Sequence, residues 1–437
     1  MFQDCKEMLK NWFPTFAIRN LSLLSIANGS ALVTGLIYSI LVVRGLDSYR
    51  YGQLLIVISA TSILTSIIFL KIHTPLLKEL RNALDNNMRH QFDESYSAAL
   101  VTVGIYGAAG YVLIGTGMFL DLVFDVFEMR WGILILLYYS SQVLNKASQI
   151  YFKIFQANQM FGNHSFLHLT QNAIMDFFPL LFLSQGVQGI FIGYLVGEAI
   201  VFLVVYFLYF APFSGSKIRF PSFQFSLPAI KSLFHQAKDY HLAQLTGSFG
   251  SDGANLIIAQ LTGARGLSIF NIGEKLFKAF NPIIRTLRTY LFPRLVEKRN
   301  RNFSEFRYTV KKYICLIFGF LLFLGGALVP ISFEILPALY GQEFITSAYV
   351  FCILVVGYIL GNPFSSIFRE ICFATDRIRI YRNITFAVTP LYLIVLTILT
   401  APFGYFGSAV AKSCFNGFKG MIHALFSYKF LTLYDHT

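Results

Sequence analysis

Charge is scarce in this sequence: Asp, Glu, Lys and Arg make up 13% of its 437 residues, against 55% hydrophobic and 17% aromatic residues. A soluble domain carries about a quarter charged residues, so this balance excludes an ordinary aqueous surface and makes the bilayer the expected solvent. Cysteine is thin as well. Cys5, Cys315, Cys352, Cys372 and Cys414 stand singly, without the close pairing of a zinc or redox motif, and neither disulfides nor a structural metal is expected. No G-x-x-x-x-G-K-[ST] loop occurs, and no connection is long enough for a nucleotide-binding domain, so ATP hydrolysis within this chain is not expected. The amino terminus, MFQDCKEMLKNWFPTF, has charges of both signs and no small-residue cleavage site behind a short apolar core. A removable signal peptide is therefore not expected, and the first span is read as the insertion signal.

What is present is a succession of apolar runs, such as LLIVISATSILTSIIFL (54 to 70) and ICLIFGFLLFLGGALVPISF (314 to 333), close to the ~20 residues that cross the hydrocarbon as helix. Reading between charged and Pro/Gly-rich breaks places twelve spans near 16–43, 52–70, 96–118, 131–152, 165–183, 189–211, 241–261, 267–290, 313–335, 347–368, 384–400 and 407–428. Alternate connections differ sharply in Lys and Arg. One side holds Lys6, Lys10 and Arg19, Lys71 to Arg89, Lys146 and Lys153, Lys217 to Lys238, Arg294 to Lys312, Arg369 to Arg382 and Lys429. The other side holds only Arg44, Arg50, Arg130 and Arg265. Positive loops stay in the cytoplasm, so both termini are expected there. Much of the formal net charge of +13 is thus topology, and no nucleic-acid partner is expected from it.

The longest interior connection without a span, 211 to 240, contains Pro212, Pro221 and Pro228 and reads as a linker. It suggests an N-terminal bundle over 1–211, a cytoplasmic linker over 212–240 and a C-terminal bundle over 241–437. The halves echo each other. RGLDSYRYGQLL (44 to 55) matches QLTGARGLSIFN (260 to 271), with Asp47 and Gly52 spaced as are Gly263 and Ser268, and Pro75 precedes a basic stretch as Pro293 does. Each half starts inside and has an even number of spans, so the repeats are parallel, related by an axis along the membrane normal. The expected fold is all-α: twelve transmembrane helices in two parallel six-helix bundles around a central cleft.

At Arg44, Leu46, Tyr51 and Gly52, at Gly263, Leu267, Ile269 and Phe270, and at Leu291, Phe292 and Pro293, the chain resembles the polysaccharide flippases of the multidrug/oligosaccharidyl-lipid/polysaccharide exporter superfamily. It departs from that pattern where Asp47 and Ser268 stand in place of Gly. The resemblance implies a bacterial inner-membrane protein that moves lipid-linked O-antigen or capsule repeat units by alternating access, with membrane lipid and polysaccharide-assembly proteins around it and no covalent catalysis.

Six cations are left with no loop to occupy: Lys275, Lys278, Arg285, Arg288, Lys412 and Lys419. Four of them, with Glu274, fall within an arc of about 140° on one helix at 100° per residue. Arg285 and Arg288 lie near enough to the cytoplasmic end to snorkel to headgroups, a reading that stands beside a cleft role. Lys275 and Lys278 lie deeper, where a charge costs ~2.5–3.5 kcal/mol and needs water or a partner. Glu274 or Asp252 is a candidate structural partner for one of them. Lys412 and Lys419, seven apart, share a face on a span that offers no acid of its own. Tyr138, Gln142, Asn145, Lys146, Gln149, Lys153 and Gln156 form a polar stripe, suited either to a water-filled cavity or to an interhelical hydrogen-bond seam. His164 and His168 are spaced as half a metal site, but no third close ligand accompanies them.

A cleft walled by these cations calls for an anionic substrate, and a polyprenyl-pyrophosphate-linked oligosaccharide matches it part by part: cations for phosphate, amides and aromatics for sugar, a lateral opening for the lipid. Asp252, Asp176, Glu198 and Glu274 are the candidates for H+ or Na+ coupling, and no other cofactor is expected. Two other readings remain. A cation-coupled drug exporter of the same fold predicts an acid-rich cavity, and a membrane glycan polymerase or glycosyltransferase predicts a large external loop.

Overall fold

The computed structural model describes residues 15–124, 129–158, 160–210, 222–278, 284, 295, 303–375 and 377–433, with side chains from Val33 onward. All regular structure among the described residues is helical. In chain order the helices are α1 (Thr15–Ile68), α2 (His73–Asp85), α3 (Arg89–Phe124), α4 (Met129–Ala157), α5 (Phe161–Leu181), α6 (Gly186–Phe210), α7 (Leu227–Ser248), α8 (Ala254–Lys278), α9 (Phe303–Tyr340), α10 (Ile345–Ala374) and α11 (Ile378–Leu433), with a π-helical turn at Phe249–Gly253.

Three of these helices are interrupted by a single residue. α1 breaks at Asp47 (φ 67°, ψ 168°), α8 at Gly263 (φ 74°, ψ 175°) and α11 at Gly404 (φ 57°, ψ −141°). Asp47 and Gly263, matched in the internal repeat, thus share one backbone conformation. Glycine adopts it freely; Asp47 has a Cβ, but its Oδ1 accepts the Arg50 N–H at 2.9 Å and caps the helix that follows.

Contacts divide the chain into two compact units, residues 1–45 with 64–244 and residues 46–63 with 245–437. The first has its core where α2, α3, α4 and α6 meet, around Leu76, Leu80, Ala99, Tyr139, Ile150, Ile154 and Phe155. α7 belongs to this unit through Leu233 and Ala237, so part of the segment read as linker is helix packed into a core. In the second unit, residues 46–63 lie against α8 so closely that a Cβ on Gly52 would fall 1.9 Å from the Ala264 carbonyl oxygen. α10 and α11 pack through small residues: a Cβ on Gly357 would meet the Ser413 carbonyl oxygen at 2.2 Å, and one on Gly361 the Asn416 carbonyl oxygen at 2.0 Å. Such close backbone approach lets apolar helices associate by van der Waals contact where the hydrophobic effect gives no drive.

Seven helical stretches among the described residues are long and apolar enough to cross a bilayer: Val33–Ile68, Arg89–Leu122, Leu183–Phe207, Tyr240–Leu276, Phe303–Tyr340, Gln342–Cys372 and Arg379–Lys429. The seven do not match the twelve expected spans one for one. Val33–Ile68, Tyr240–Leu276 and Arg379–Lys429 each contain one of the breaks, and the stripe on α4 lowers its hydropathy. The expected span 267–290 runs into residues outside those described. The chain is a multi-pass membrane protein.

Candidate functional site

In the second unit the interior charges converge on Glu274, which is 7% exposed on α8. Its Oε1 accepts a hydrogen bond from Lys412 Nζ of α11, and its Oε2 pairs with Lys278 Nζ at 3.1 Å. Lys412 Nζ also lies 5.5 Å from the centre of the Phe270 ring. Lys275 Nζ stands over Tyr51 at 5.9 Å, and Lys419 Nζ over Tyr381 and Phe415 at 5.8 Å each. Asp252 sits in the π-helical turn, in the field of Lys278, Lys412 and Glu274, with Ser251 Oγ donating to its Oδ2 at 3.5 Å. This group is electrically balanced, two carboxylates against Lys278 and Lys412, while Lys275 and Lys419 rest on aromatic faces. The acid that the Lys412 helix lacks comes from α8. Arg285 and Arg288 lie outside the described residues.

In the first unit the polar stripe of α4 meets α6. Asn145 Nδ2 donates to Glu198 Oε1 at 2.7 Å; Glu198 is 1% exposed, and its Oε2 has no hydrogen-bond partner. Gln171 of α5 and Lys146 approach the same carboxyl. Lys153 Nζ donates to Gln156 Oε1 at 2.9 Å. Tyr138 packs on Phe191 and Tyr194, ring centres 5.3 and 5.6 Å away, and Tyr194 shares a 2.8 Å hydrogen bond with Tyr38. Gln142, Gln149 and Asp176 are half-buried. The stripe is thus part seam, where Asn145 ties α4 to α6, and part lysine face. His168 shares a hydrogen bond with Asn172 at 2.9 Å, and its ring lies 6.3 Å from that of His164. Among the described residues no cluster of three His, Cys, Asp or Glu side chains is arranged to hold a metal ion.

Two residues that sequence reasoning assigned to a loop also belong here. His73 opens α2, its Nδ1 is sealed from solvent without a partner, and burial pushes its imidazole down to about 3, helped by Lys146, Lys153 and Lys71. Burial likewise lowers Lys71. The sequence signal for them is K-x-H ahead of Pro75 at a span end, which charge counting alone treats as cytoplasmic decoration.

The fold is that of transporters and flippases. The chain superposes on an inward-facing multidrug resistance MATE family transporter of the MOP superfamily with TM-score 0.74 and 12% identity, over 94% of this chain and 99% of that one. It superposes on the lipid II flippase MurJ, in an inward closed conformation, with TM-score 0.69 and 17% identity, over 93% and 87%. A MOP superfamily transporter from Pyrococcus furiosus, described by the reverse polarity of its binding pocket, gives TM-score 0.66 and 11% identity over 94% and 95%. No curated protein matches the sequence. A family model described as "Polysaccharide biosynthesis protein" matches residues 85–349, more than half the chain, and the protein belongs to that family. The resemblance carried by Arg44, Tyr51, Gly52 and their counterparts holds at this level.

Proposed function

We propose that this protein is a flippase that carries a polyprenyl-pyrophosphate-linked oligosaccharide repeat unit across the bacterial inner membrane, for O-antigen or another surface polysaccharide. The observation that carries the reading is the family match over residues 85–349 on a chain whose fold is shared with a lipid II flippase. Interior lysines support it: Lys146 and Lys153 in the first unit, and Lys275, Lys278, Lys412 and Lys419 in the second, are cations at membrane depth suited to a diphosphate. Twelve spans in two six-helix bundles, with 1–211 and 241–437 joined by 212–240 and both termini cytoplasmic, give a frame for alternating access. The breaks at Asp47, Gly263 and Gly404 support that count, since each divides a helical stretch too long for one crossing: Val33–Ile68, Tyr240–Leu276 and Arg379–Lys429. Coupling to H+ or Na+ would fall to a buried carboxylate; Glu198, with one oxygen unpartnered, now stands ahead of Asp252, Asp176 and the lysine-paired Glu274. A strain lacking the protein is expected to accumulate lipid-linked repeat units on the cytoplasmic leaflet, and complementation should clear them. Normal surface glycan in the deletion strain refutes the reading.

A cation-coupled multidrug exporter is the second reading, favoured by the MATE-like fold and by the carboxylates Asp252 and Glu274. Drug susceptibility of the same strain separates the two.

A further inference from the structure

In the first unit Lys71, Lys146 and Lys153 gather about the neutral His73, a grouping that no spacing along the chain announces. Two packing contacts assemble it. Ile72, Leu76 and Leu80 of the α2 region are buried with Ile150, Ile154 and Phe155 of α4, and Arg81 Nη1 donates to the Ala157 carbonyl oxygen at 3.0 Å. Together they pin the start of α2 beside the face of α4 where Lys146 and Lys153 lie seven residues apart. The charges of Lys146, Lys153 and Lys71 all weigh on His73, and Lys71 and Lys146 repel each other. Lys71 and Lys146 make no ion pair among the described residues; Glu198, whose charge acts on Lys146, is already bonded to Asn145. Among the described residues Lys153 has only a neutral amide oxygen, that of Gln156. At the centre His73 Nδ1 is sealed from solvent and unpartnered. No side chain caps α2, so the partial positive charge of its first turn adds to the same field.

Three ammonium groups gathered around an unpartnered imidazole, with no ion pair of their own among the described residues, are unfavourable unless something of opposite charge visits. A group with about two negative charges and several acceptor oxygens relieves the repulsion and gains charge-assisted hydrogen bonds. We propose that Lys71, Lys146, Lys153 and His73 form a binding site for a phosphoryl oxyanion on the first unit, distinct from the Glu274-neutralised lysines of the second. This rests on the flippase reading insofar as the substrate's diphosphate is one source of that chemistry; a phospholipid headgroup is the other.

The test uses the full-length protein in detergent micelles, titrated by calorimetry with farnesyl pyrophosphate, inorganic pyrophosphate and, in mixed micelles, phosphatidylglycerol. Wild type is expected to bind a phosphoryl ligand. Lys71→Ala and Lys146→Met should each weaken it by about tenfold or more, the loss of one charge-assisted hydrogen bond, with thermal unfolding unchanged. Lys146→Arg should restore binding, His73→Gln should weaken it, and Lys311→Met, at an exposed lysine of α9, should leave it intact. Preference for farnesyl pyrophosphate assigns the site to the substrate, and preference for phosphatidylglycerol assigns it to a lipid; either supports the site. Absence of binding by wild type, or equal affinity in folded Lys71→Ala and Lys146→Met variants, overturns it. Glycan accumulation in the deletion strain is scored separately, so the site fails alone if accumulation occurs and the flippase reading fails alone if binding holds without it.

Discussion

Glu274 holds two lysines, and exposure decides which pairing matters. The Lys278 side chain is 51% exposed, so water screens its bridge to a worth of about 0–1 kcal/mol. Lys412 and Glu274 are only 17% and 9% exposed, and removing one partner strands the other, at a cost on the order of 3–5 kcal/mol for a fully buried pair. Glu274→Gln is therefore expected to lower the unfolding temperature in detergent, Lys278→Gln to leave it nearly unchanged, and the double change Glu274→Gln, Lys412→Met to recover part of the loss. Unaltered unfolding of Glu274→Gln would show that the Lys412 pair does not hold the fold and leave Lys412 to the substrate alone. Both residues were legible as buried charges, but their pairing was not, because 138 residues separate them and helical periodicity relates only neighbours on one helix. His73 gives a pH signature. Its folded-state value, about 3, lies below the ordinary 6.5, so the unfolded chain binds the extra proton as pH falls. The His73 contribution is complete above about pH 6.5 and declines toward pH 3, by up to about 1.4 kcal/mol per pH unit. Subtracting the stability profile of His73→Gln from that of wild type should isolate a difference that shrinks between pH 7 and 5; a flat difference would show that the imidazole is not held neutral.

Elements break where a residue can take a positive φ, and this tests the repeat. Asp47 achieves at φ 67° what Gly263 does at 74°, with a side-chain cap in place of conformational freedom. Asp47→Ala loses the cap while keeping the strained backbone and should destabilise by about 1–2 kcal/mol; Asp47→Gly loses the cap but gains freedom and should be nearly neutral. Thermal unfolding of the two variants distinguishes them, and equal loss in both would mean that the cap alone matters. The gaps left between expected spans, 44–51, 262–266 and 401–406, contain Asp47, Gly263 and Gly404, so the places of the breaks were readable from charge and Gly/Pro content. Their near-continuity as single helices was not, since nothing local shows that one residue makes the turn. Packing was less legible still: Gly357 and Gly361 look like any glycines in an apolar run, and only the approach of α11 shows why they must be small. Gly361→Leu should abolish stable folding or expression because a Cβ there already meets backbone at 2.0 Å, whereas Gly326→Leu on α9, with open space around it, should be tolerated.

On the scale of the whole molecule, sequence speaks through what membranes forbid. Apolar runs and the scarcity of charge announced a multi-pass protein, through a constraint that acts on every span alike, and the family motifs, a few residues at three places, pointed to polysaccharide biosynthesis. The sites were less readable because their residues are brought together by helix packing, as Lys71 and His73 are beside Lys146. Direction across the membrane is the remaining global property that sequence addresses, through the uneven placement of Lys and Arg. Moving a cluster such as Arg294 to Lys312 across the bilayer would require each cation to be desolvated in turn, whereas the few arginines Arg44, Arg50, Arg130 and Arg265 impose a far smaller burden. Reporter fusions therefore have a definite expected pattern. An alkaline phosphatase fused within 121–128 should be active, because that connection carries acid in place of base and is expected outside. The same enzyme fused at Asn300 should be inactive, while a fluorescent protein there and at the carboxyl end should fluoresce from the cytoplasm. Replacing the cations between Arg294 and Lys312 with glutamine should weaken this bias and give a mixed signal at Asn300. A phosphatase-positive fusion at Asn300 in the unaltered protein would invert the orientation, and with it the leaflet on which the Lys71, Lys146 and Lys153 cluster first meets its anion.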